Sequence, residues 1–515
     1  LATRVRTIDL LDIADETANA LKDAFSIEMW GGATYDVCYR FLHEDPWERL
    51  RLLREKIPNV MFQMLVRGAN GVGYKSYPDN VIEQFCVLAA KNGIDVFRIF
   101  DCFNDVSQMK VCIDAVRKTG KVAEVAICFT GDFLSPNEKI YTLEYYKNLT
   151  KEIVAAGAHM IAVKDMAGLL KPQAAAPLMA AIRSVTDLPV HFHSHNTSSA
   201  SLATCVNMAA NGCDIVDLAI ASMADTTSQP SLNAFLASME GHPQDPQIPY
   251  LTLERLDQYW SQIRTMYQQF ESGLKCGTAR VYEHQIPGGQ YSNLYAQCSS
   301  LGIMHRWNEV LDMYRDVNLM FGDIVKVTPS SKCVGDMALY LIKNNLTCKD
   351  VLTRGDSINF PESVVELFMG DLGFPHMGFP EAVSAAVLKG RKPLTVRPGA
   401  VLPPADFEEE RASLEGKYGK SMTDEDVISA LLYPKVFDEY MANREQFGWK
   451  LTWLDSETYF FGLTIDQEIK VSYPDDGKSL NECKPHKIVL KRVGPLTGDG
   501  ARIFEFLVAG ERRKA

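Results

Sequence analysis

The sequence predicts an α/β protein whose first domain is a (β/α)₈ TIM barrel, followed by an α-helical domain and a small β-rich C-terminal module. Three observations predict the barrel. Short apolar runs alternate with longer amphipathic stretches up to about residue 240. The runs are apolar on both faces, as the strands of a helix-covered parallel sheet must be. No glycine-rich phosphate turn follows an early strand, which disfavours a dinucleotide-binding fold. An open seven-stranded sheet is the alternative.

Seven apolar runs predict strands, and each is short and rich in Val, Ile and Phe. They are Ile27–Trp30, Val60–Arg67, Val96–Asp101, Val122–Thr130, Met160–Lys164, Leu188–His195 and Ile215–Met223. Between them, Asp45-Pro46 suits the N-cap and first residue of a helix. Four predicted helices end at a glycine, where a left-handed backbone favours that residue. These glycines are Gly93, Gly120, Gly157 and Gly212.

The pattern contains one helix more than it has strands. Residues Thr7–Phe25 are predicted to be helical before the first strand. A closed (β/α)₈ barrel needs eight strands, so we expect the first strand to lie upstream of Leu1. The lack of a Met at Leu1 fits a segment of a longer protein.

The alternation stops after residue 250, and helical patterns dominate before β-like segments begin at Leu451. The predicted elements are a helix at Leu251–Phe270, a Pro-Gly-Gly loop at Glu283–Gln290, mostly helix over 305–390, a Pro-rich crossing at Pro393–Pro404, helices at Asp406–Tyr418 and Thr423–Glu445, and turns at Asp476-Gly477 and Asp499-Gly500. We predict a barrel domain over 1–300, a helical domain completing the active site over 301–448, and a β-rich module over 449–515.

Composition excludes several classes of function. The chain carries 53 Lys and Arg against 65 Asp and Glu, a net charge of −12. An acidic chain without basic runs argues against binding to nucleic acid. No apolar run reaches the roughly 18 residues that span a bilayer, so we expect no membrane partner. The 12 cysteines are scattered without a CxxC pair, which predicts reduced thiols in an intracellular compartment.

Three histidines alternate on the sixth predicted strand: His191, His193 and His195. Alternate residues of a strand share a face, and in a barrel the last of them reach the C-terminal rim, where active sites form. Two imidazoles two residues apart can ligate one divalent ion, with the third deeper and structural. For any single histidine, a hydrogen-bonded core residue is the alternative.

Lys164 ends the preceding strand, at the same rim. A metal ion would repel a protonated amine. Lys164 therefore suits the site only if it is deprotonated, or if it is carbamylated and offers an anionic oxygen as ligand. A solvated surface charge is the alternative.

Other polar side chains follow neighbouring strands. Arg67 offers a guanidinium for a substrate carboxylate. Asp36, Tyr74 and Asp101 also come after strands, and together these residues predict an active site at the rim, although each alone could be structural. In the helical domain, the turn Val327–Lys332 carries hydroxyls and an amine; a helix N-cap and a proton relay are equal alternatives for it.

At these motifs the chain resembles the carboxyltransferase region of the pyruvate carboxylase family, across nearly its whole length. The carboxyltransferase subunits of oxaloacetate decarboxylase and transcarboxylase are related. The module from Leu451 onward resembles the family's tetramerisation and allosteric region. The matching motifs are Glu28–Thr34, Gln63–Tyr74, Val163–Leu170, His191–His195, Pro287–Gln290 and Val327–Lys332.

The resemblance implies carboxyl transfer from carboxybiotin to pyruvate, giving oxaloacetate. His193, His195 and carbamylated Lys164 would ligate Zn²⁺ or Mn²⁺. Arg67 would hold pyruvate, and Thr328 would pass a proton between its methyl group and biotin; with Lys164 these are the implied catalytic residues. The other residues implied for the substrate and biotin pocket are Asp36, Tyr74, Ser331, Lys332 and Gln290.

The resemblance also implies partners and a location. Biotin would be attached to a carrier domain outside this chain, and biotin carboxylase and carrier domains would belong to the same longer polypeptide. The assembly would be a homotetramer. The expected compartment is the cytoplasm or the mitochondrial matrix.

The chain departs from the family pattern at several positions. The family's fourth metal ligand is an aspartate in an Arg-Asp-Ala-His-Gln motif that would precede Leu1, and no Met-Lys-Met biotinylation motif is present. Asn196 stands where Asp is usual, and Ser199 and Asp225 replace glycines. Three alternatives stay open: a carboxyltransferase subunit of a biotin-dependent decarboxylase or transcarboxylase, a metal-dependent aldolase or lyase, and a non-catalytic fragment without a complete metal site.

Overall fold

Seven parallel strands lie side by side in chain order in the computed structural model of the protein, which describes residues 3–472 and 485–515. Each predicted strand overlaps one of them, which confirms the predicted fold class. Within the described residues the sheet is a TIM-like half-barrel with β1 and β7 as its edges. The strands are β1 (Ser26–Trp30), β2 (Met61–Val66), β3 (Val96–Ile99), β4 (Val122–Cys128), β5 (Met160–Asp165), β6 (Val190–Ser194) and β7 (Ile215–Val216).

Helices connect the strands, as a parallel sheet requires. The Asp45 carboxylate caps one of them as predicted, accepting a hydrogen bond from the Trp47 N–H over 2.8 Å. The four predicted helix-ending glycines all have φ between +77° and +126°. The helices of this half of the chain are α1 (Thr7–Asp12), α2 (Ala14–Ala20), α3 (Gly32–Val37), α4 (Pro46–Lys56), α5 (Asp79–Asn92), α6 (Val106–Lys118), α7 (Leu143–Ala156), α8 (Ala175–Arg183), α9 (Ser201–Ala210), α10 (Leu232–Met239) and α11 (Glu254–Met266).

Helices also make up most of the chain after residue 280. They are α12 (Val281–His284), α13 (Gly288–Ser300), α14 (Trp307–Met320), α15 (Ser330–Lys343), α16 (Cys348–Arg354), α17 (Glu362–Met369), α18 (Glu381–Leu388), α19 (Pro398–Val401), α20 (Phe407–Tyr418), α21 (Asp424–Leu432), α22 (Pro434–Phe447) and α23 (Ser456–Phe461). Four antiparallel strands follow in the spatial order β11-β10-β9-β8. They are β8 (Glu468–Val471), β9 (His486–Val493), β10 (Phe504–Val508) and β11 (Glu511–Lys514).

Two predicted helices are broken in the structure. The N-terminal helix divides into α1 and α2 at Ile13, whose φ of −110° and ψ of 5° are not helical. The Ile13 side chain joins a buried cluster with Leu253 and Leu256. The predicted helix Thr423–Glu445 divides at Tyr433-Pro434, because a residue before proline disfavours the α conformation.

Two predicted non-helical segments contain more helix than expected. Irregular chain in the predicted loop Glu283–Gln290 is confined to residues 285–287, and its two glycines form the first turn of α13 after Pro287. The segment after Leu451 contains α23 before its first strand begins at Glu468. The turn predicted at Asp476-Gly477 lies outside the described residues, whereas Gly500 has the φ of +83° expected at a turn.

The last barrel strand is shorter than predicted. The apolar run Ile215–Met223 predicts a long strand, but β7 ends at Val216. Asp217 follows and enters a buried charge cluster, while Ile220 and Met223 pack against the α11 side of the molecule.

A single hydroxyl joins the barrel to the helices that follow it. Ser429 Oγ in α21 lies 2.5 Å from Tyr35 Oη, 3.0 Å from Tyr39 Oη and 3.0 Å from Trp47 Nε1. All four side chains are buried. The contact fixes α21 against the first βα units of the barrel, and so holds the helical region over the C-terminal rim.

Eleven cysteines lie in the described residues, and none of these forms a disulfide. Across the described part of the chain, every helix is too short or too polar to span a bilayer.

Candidate active site and metal centre

Two imidazoles face each other at the end of β6. His193 Nε2 lies 3.3 Å from His195 Nε2. Zinc–nitrogen bonds of roughly 2.0 to 2.1 Å at tetrahedral angles place two ligand nitrogens about 3.3 Å apart. The strand geometry predicted this pair, and the structure brings the two rings together with a separation that suits one shared ion.

The other ring nitrogen of each histidine is already bonded. His195 Nδ1 donates to the Thr227 carbonyl over 2.7 Å, and His193 Nδ1 donates to Asp217 Oδ2 over 2.8 Å. Each Nε2 is therefore left with a lone pair, and two lone pairs this close repel unless a cation lies between them. Burial lowers the pKa of His195 to about 4 and the pKa of His193 well below its usual range. Both rings are thus neutral, as metal ligands must be.

His191 has a different environment. Its Nδ1 lies 2.7 Å from Glu124 Oε2, and its Nε2 lies 2.7 Å from Asp217 Oδ1. Burial alone would lower the pKa of His191, but Asp217 and Glu124 raise it to about 9. The ring is therefore a buried imidazolium with both nitrogens donating. The prediction that the third histidine is deeper and structural agrees with this geometry.

Lys164 stands beside the histidine pair on the neighbouring strand, in register with His193. Its side chain is buried, and Nζ lies 5.3 Å from the centre of the Phe100 ring. Within the described residues, Nζ makes no hydrogen bond or ion pair. Burial lowers the pKa of Lys164, although Glu28 opposes the shift. A lysine can be carbamylated only as the neutral amine, and burial favours that form at Lys164.

A second trio of possible ligands adjoins this pair. One oxygen or nitrogen each from Glu28, His193 and Asp217 lie within 4.8 Å of one another. The Arg98 guanidinium already occupies this place: Nη1 contacts Asp217 Oδ2 and lies 3.3 Å from Glu28 Oε2. The trio is therefore neutralised by an arginine, and the Nε2 side of His193 remains the better place for a cation.

The Arg67 guanidinium is held in a fixed position. Its Nη1 donates to the carbonyls of Val72 and Gly73 over 2.9 and 2.8 Å, and the Tyr74 ring lies 4.8 Å from its central carbon. The residue is only 8 % exposed. A Cβ on Gly32 would lie 2.5 Å from Arg67 Cζ, so the glycine makes room for the cation.

Asp36 lies at the same opening of the barrel. Its Oδ1 accepts from Arg40 Nε over 2.8 Å, and its Oδ2 accepts from the Tyr74 hydroxyl over 3.4 Å. The Tyr74 side chain is 40 % exposed. The structure thus brings Asp36, Tyr74 and Arg67 into one cluster, as the sequence predicts.

Of the predicted residues in this region, Gln290 lies in α13, Ser331 and Lys332 lie in α15, and Thr328 lies two residues before α15. Ser331 Oγ is buried and has no hydrogen-bond partner among the described residues. Lys332 Nζ is bonded to Asp336 one turn later, over 2.6 Å. The Gln290 side chain lies against Gly335, where an added Cβ would come within 2.6 Å of Gln290 Nε2.

These helices reach the strand ends through their backbones. The Gly288 N–H donates to the Met166 carbonyl over 2.8 Å, and a Cβ on Gly288 would lie 2.8 Å from His195 Nδ1. The backbone of Ser330 lies beside the Cys102 thiol, just after β3. In the described structure, no hydrogen bond or ion pair joins Thr328, Ser331 or Lys332 to Arg67 or to the histidine pair.

Two of the departures from the family pattern contact each other. Asn196 Nδ2 donates to Asp225 Oδ1 over 2.6 Å, and Asn196 Oδ1 accepts from the Ser201 N–H over 3.1 Å. Ser199 and Asp225 both have positive φ, +63° and +69°, where glycine would carry less strain. The amide and the carboxylate thus bond directly to each other, next to His195 in the chain.

Sequence reasoning missed three residues beneath the histidine pair: Arg98, Glu124 and Asp217. Arg98 is 0 % exposed and bonded to Glu124 and Asp217. A signal was present, because Arg98 and Glu124 are charges inside runs predicted to be apolar on both faces. Buried charges of this kind occur in pairs or at sites.

Known proteins resemble the chain along its whole length. The family profile "Conserved carboxylase domain" matches residues 281–481, and the profile "HMGL-like" matches residues 101–259. Pyruvate carboxylase of Bacillus subtilis (strain 168) is 50 % identical over 514 residues, which cover 100 % of this chain and 44 % of that protein. Pyruvate carboxylase 1 of Caenorhabditis elegans is 45 % identical over 516 residues, covering 100 % of the chain and 43 % of that protein. The chain therefore spans less than half the length of these relatives.

A solved structure has the same fold. The carboxyl transferase domain from Rhizobium etli pyruvate carboxylase, with pyruvate and biocytin, has a TM-score of 0.97 and 46 % identity, with 100 % of this chain and 86 % of that chain covered. The structure of the same domain with oxamate and biotin has a TM-score of 0.96 and 46 % identity, and it covers 100 % of this chain and 85 % of that one.

Proposed function

The chain belongs to the pyruvate carboxylase family, whose carboxyl transferase domain it matches throughout, and from this premise we propose that it transfers a carboxyl group from carboxybiotin to pyruvate, giving oxaloacetate. The observation that carries the proposal is the pair of neutral imidazoles 3.3 Å apart at the rim, with the buried amine of Lys164 in register beside them. Arg67 lies at the same rim, so a metal site and a carboxylate site adjoin.

The residues present fit a divalent cation. His193 and His195 would be two ligands and Lys164, as its carbamate, a third; nitrogen and oxygen donors suit both Zn²⁺ and Mn²⁺. When bound, the ion supplies a Lewis acid for a carbonyl oxygen beside the carbon that loses a proton.

Arg67 would bind the carboxylate of pyruvate. Its Nη1 is committed to two backbone carbonyls, which fixes the plane of the guanidinium and leaves its other edge for a bidentate contact. A positive group held in advance stabilises the enolate without reorganising. The Tyr74 ring against Arg67 limits access of water from one side.

Thr328 would move the proton. The methyl group of pyruvate loses a proton to Thr328 Oγ1, whose own hydroxyl proton passes to the biotin nitrogen that releases the carboxyl group as CO₂. The enolate carbon then forms the new bond to CO₂. Proton and carboxyl group thus exchange places, and no oxidant or reductant is needed.

Asp36, Tyr74, Ser331, Lys332 and Gln290 would line the pocket for the biotin ring. Ser331 Oγ supports this role, because a buried hydroxyl without a partner is costly unless a ligand satisfies it. The biotin carboxylase and biotin carrier regions would lie elsewhere in the same longer polypeptide, and the assembly would be a homotetramer. Since relatives come from bacteria and eukaryotes, we expect the cytoplasm or the mitochondrial matrix.

The test uses the full-length protein that carries this chain. We expect about one Zn²⁺ or Mn²⁺ per chain, pyruvate-dependent formation of oxaloacetate with ATP and bicarbonate, and decarboxylation of oxaloacetate when free biotin and a pyruvate analogue such as oxamate are present. Decarboxylation without the reverse carboxylation would favour a decarboxylase subunit. A metal-free protein without either activity would overturn the proposal.

A further inference from the structure

A buried charge cluster lies directly beneath the histidine pair. It comprises Arg98, Glu124, His191 and Asp217, and its two carboxylates both contact the Arg98 guanidinium and the His191 ring. The half-exposed carboxylate of Glu28 contacts its edge, 3.3 Å from Arg98 Nη1. Buried ion networks cost desolvation energy, and a hydrophobic core would be as stable without them. The cluster therefore calls for a role beyond stability.

Three N–H donors converge on the two oxygens of Asp217. Its Oδ1 accepts from His191 Nε2 over 2.7 Å. Its Oδ2 accepts from His193 Nδ1 over 2.8 Å and also contacts Arg98 Nη1. The carboxylate cannot turn away from His193 without breaking its contact with His191 or with Arg98.

The backbone fixes Asp217 as well. The residue follows β7 directly, and its N–H donates over 2.9 Å to the carbonyl of Phe192, which lies between His191 and His193 on β6. The carboxylate is thus anchored to the strand that carries His193.

We propose that Asp217, held by Arg98 and His191, is the positioning residue that fixes the ring and tautomer of the metal ligand His193. This inference rests on the proposed metal site. With Nδ1 protonated and bonded to a carboxylate, His193 must present Nε2 towards His195, and the negative charge makes that nitrogen a stronger donor. Removing a carboxylate partner of this kind typically weakens metal binding by about 10- to 100-fold.

The two histidines are fixed by different devices. His195 Nδ1 donates to a backbone carbonyl, which no side-chain substitution removes, whereas His193 depends on Asp217. Metal binding at this site should therefore be sensitive to substitution of Asp217, although Asp217 is not itself a metal ligand.

The test compares metal release from the purified full-length protein and two matched variants. Asp217→Ala removes the acceptor. Asp214→Ala is the control, because Asp214 precedes the same strand, is also paired with an arginine (Arg183, 2.6 Å) and is 48 % exposed on the side chain. Bound Zn²⁺ or Mn²⁺ is measured by mass spectrometry, and its release to a chelator by a metal-sensitive dye.

We expect Asp217→Ala to bind metal about 10- to 100-fold more weakly, while Asp214→Ala binds it within about twofold of wild type. The melting temperature of each metal-free protein is measured in parallel. If Asp217→Ala does not fold, Asp217→Asn keeps the shape and removes the charge, and we expect it to release metal faster than wild type.

Two results would overturn the inference. Wild-type affinity in folded Asp217→Ala, or in Asp217→Asn if only that variant folds, would remove Asp217 from the site. An equal loss in Asp214→Ala would show a general effect on the strand. A wild-type protein that holds no metal would instead overturn the proposed function itself, so the two failures are distinguishable.

Discussion

The guanidinium of Arg67 packs so closely on Gly32 that a Cβ at residue 32 would lie 2.5 Å from Arg67 Cζ. Gly32 begins α3 and Arg67 directly follows β2, and the absence of a side chain at Gly32 leaves the space that the Arg67 guanidinium occupies. Gly32 has no left-handed backbone that would itself exclude alanine. An alanine at residue 32 would therefore displace the Arg67 side chain without straining the backbone of residue 32.

We predict that Gly32→Ala raises the KM for pyruvate at least about tenfold, equivalent to about 1.4 kcal/mol of binding, because Arg67 must leave its carbonyl partners. Steady-state carboxylation measures it. Gly416→Ala, in an exposed stretch of α20 where an added Cβ meets open space, is the matched control. An unchanged KM in Gly32→Ala would mean that Arg67 does not bind pyruvate in this position.

Thr328 carries the second prediction. Thr328→Ala should lower carboxyl transfer by about 100-fold or more, since positioned proton transfer contributes factors of this order. Thr328→Ser keeps the hydroxyl and should retain most activity. Bound metal, measured in the same samples, should be unchanged in both. Equal activity of the alanine and serine variants would exclude Thr328 from the proton path.

The raised pKa of the buried Asp101 carboxyl determines the third prediction, which concerns how the stability of the protein depends on pH. Burial raises the pKa of its carboxyl from 3.8 to about 7, although the N–H groups of Phe103 and Asp105 oppose the shift. A carboxyl with a raised folded-state pKa contributes stability that is complete below about pH 4 and is lost as pH rises through about 7, at about 1.4 kcal/mol per pH unit.

Asp101→Asn should therefore be more stable relative to wild type at about pH 8 than at about pH 5. The amide oxygen can still accept both N–H bonds, which end on the same Asp101 oxygen. Melting temperatures across this range measure the effect. Asp114→Asn, at an exposed position of α6, should show no such trend. Parallel curves for wild type and Asp101→Asn would contradict the prediction.

Arg6 carries the fourth prediction. Its side chain is 0 % exposed and donates to the carbonyls of Leu454 and Thr452 over 2.6 and 2.8 Å. Arg6→Met leaves those carbonyls without their donor, whereas Glu44 keeps its ion pair with the buried Arg49, so the substitution should cost about 1 to 3 kcal/mol. We expect a lower melting temperature and faster cleavage by trypsin at Lys450.

Arg255→Met is the control for Arg6. Arg255 is 75 % exposed and paired with Glu16, so its loss should cost less than about 1 kcal/mol. Similar cleavage rates for the two variants would show that Arg6 does not hold the segment before α23.

Much of the barrel follows from local pattern alone. A strand buried on both faces must be apolar throughout, so β3, β4 and β5 begin at the residues predicted for them. Strand ends are less certain, because apolar side chains also serve loops that pack on helices. Ile220 and Met223 illustrate this, since they extend the apolar run of β7 while packing outside the sheet.

The placement of the predicted site residues follows from the sequence only as far as strand alternation reaches. Alternation places His193 and His195 on one face, and the shared edge of parallel strands brings Lys164 beside them. Asp217 was not predicted, because its role depends on the register between β6 and β7 and on Arg98 of β3, four strands from β7 in the sheet. No spacing along the chain encodes such a convergence.

Ser429 links the barrel to the helical region that follows it, and this link affects whether the two unfold together. Three buried side chains of the barrel form hydrogen bonds with one hydroxyl of α21. If the helical region detached, Tyr35, Tyr39 and Trp47 would lose that partner inside an apolar aromatic cluster. The rim of the barrel is thus unstable as a separate folding unit, and heat should melt barrel and helical region in one calorimetric transition.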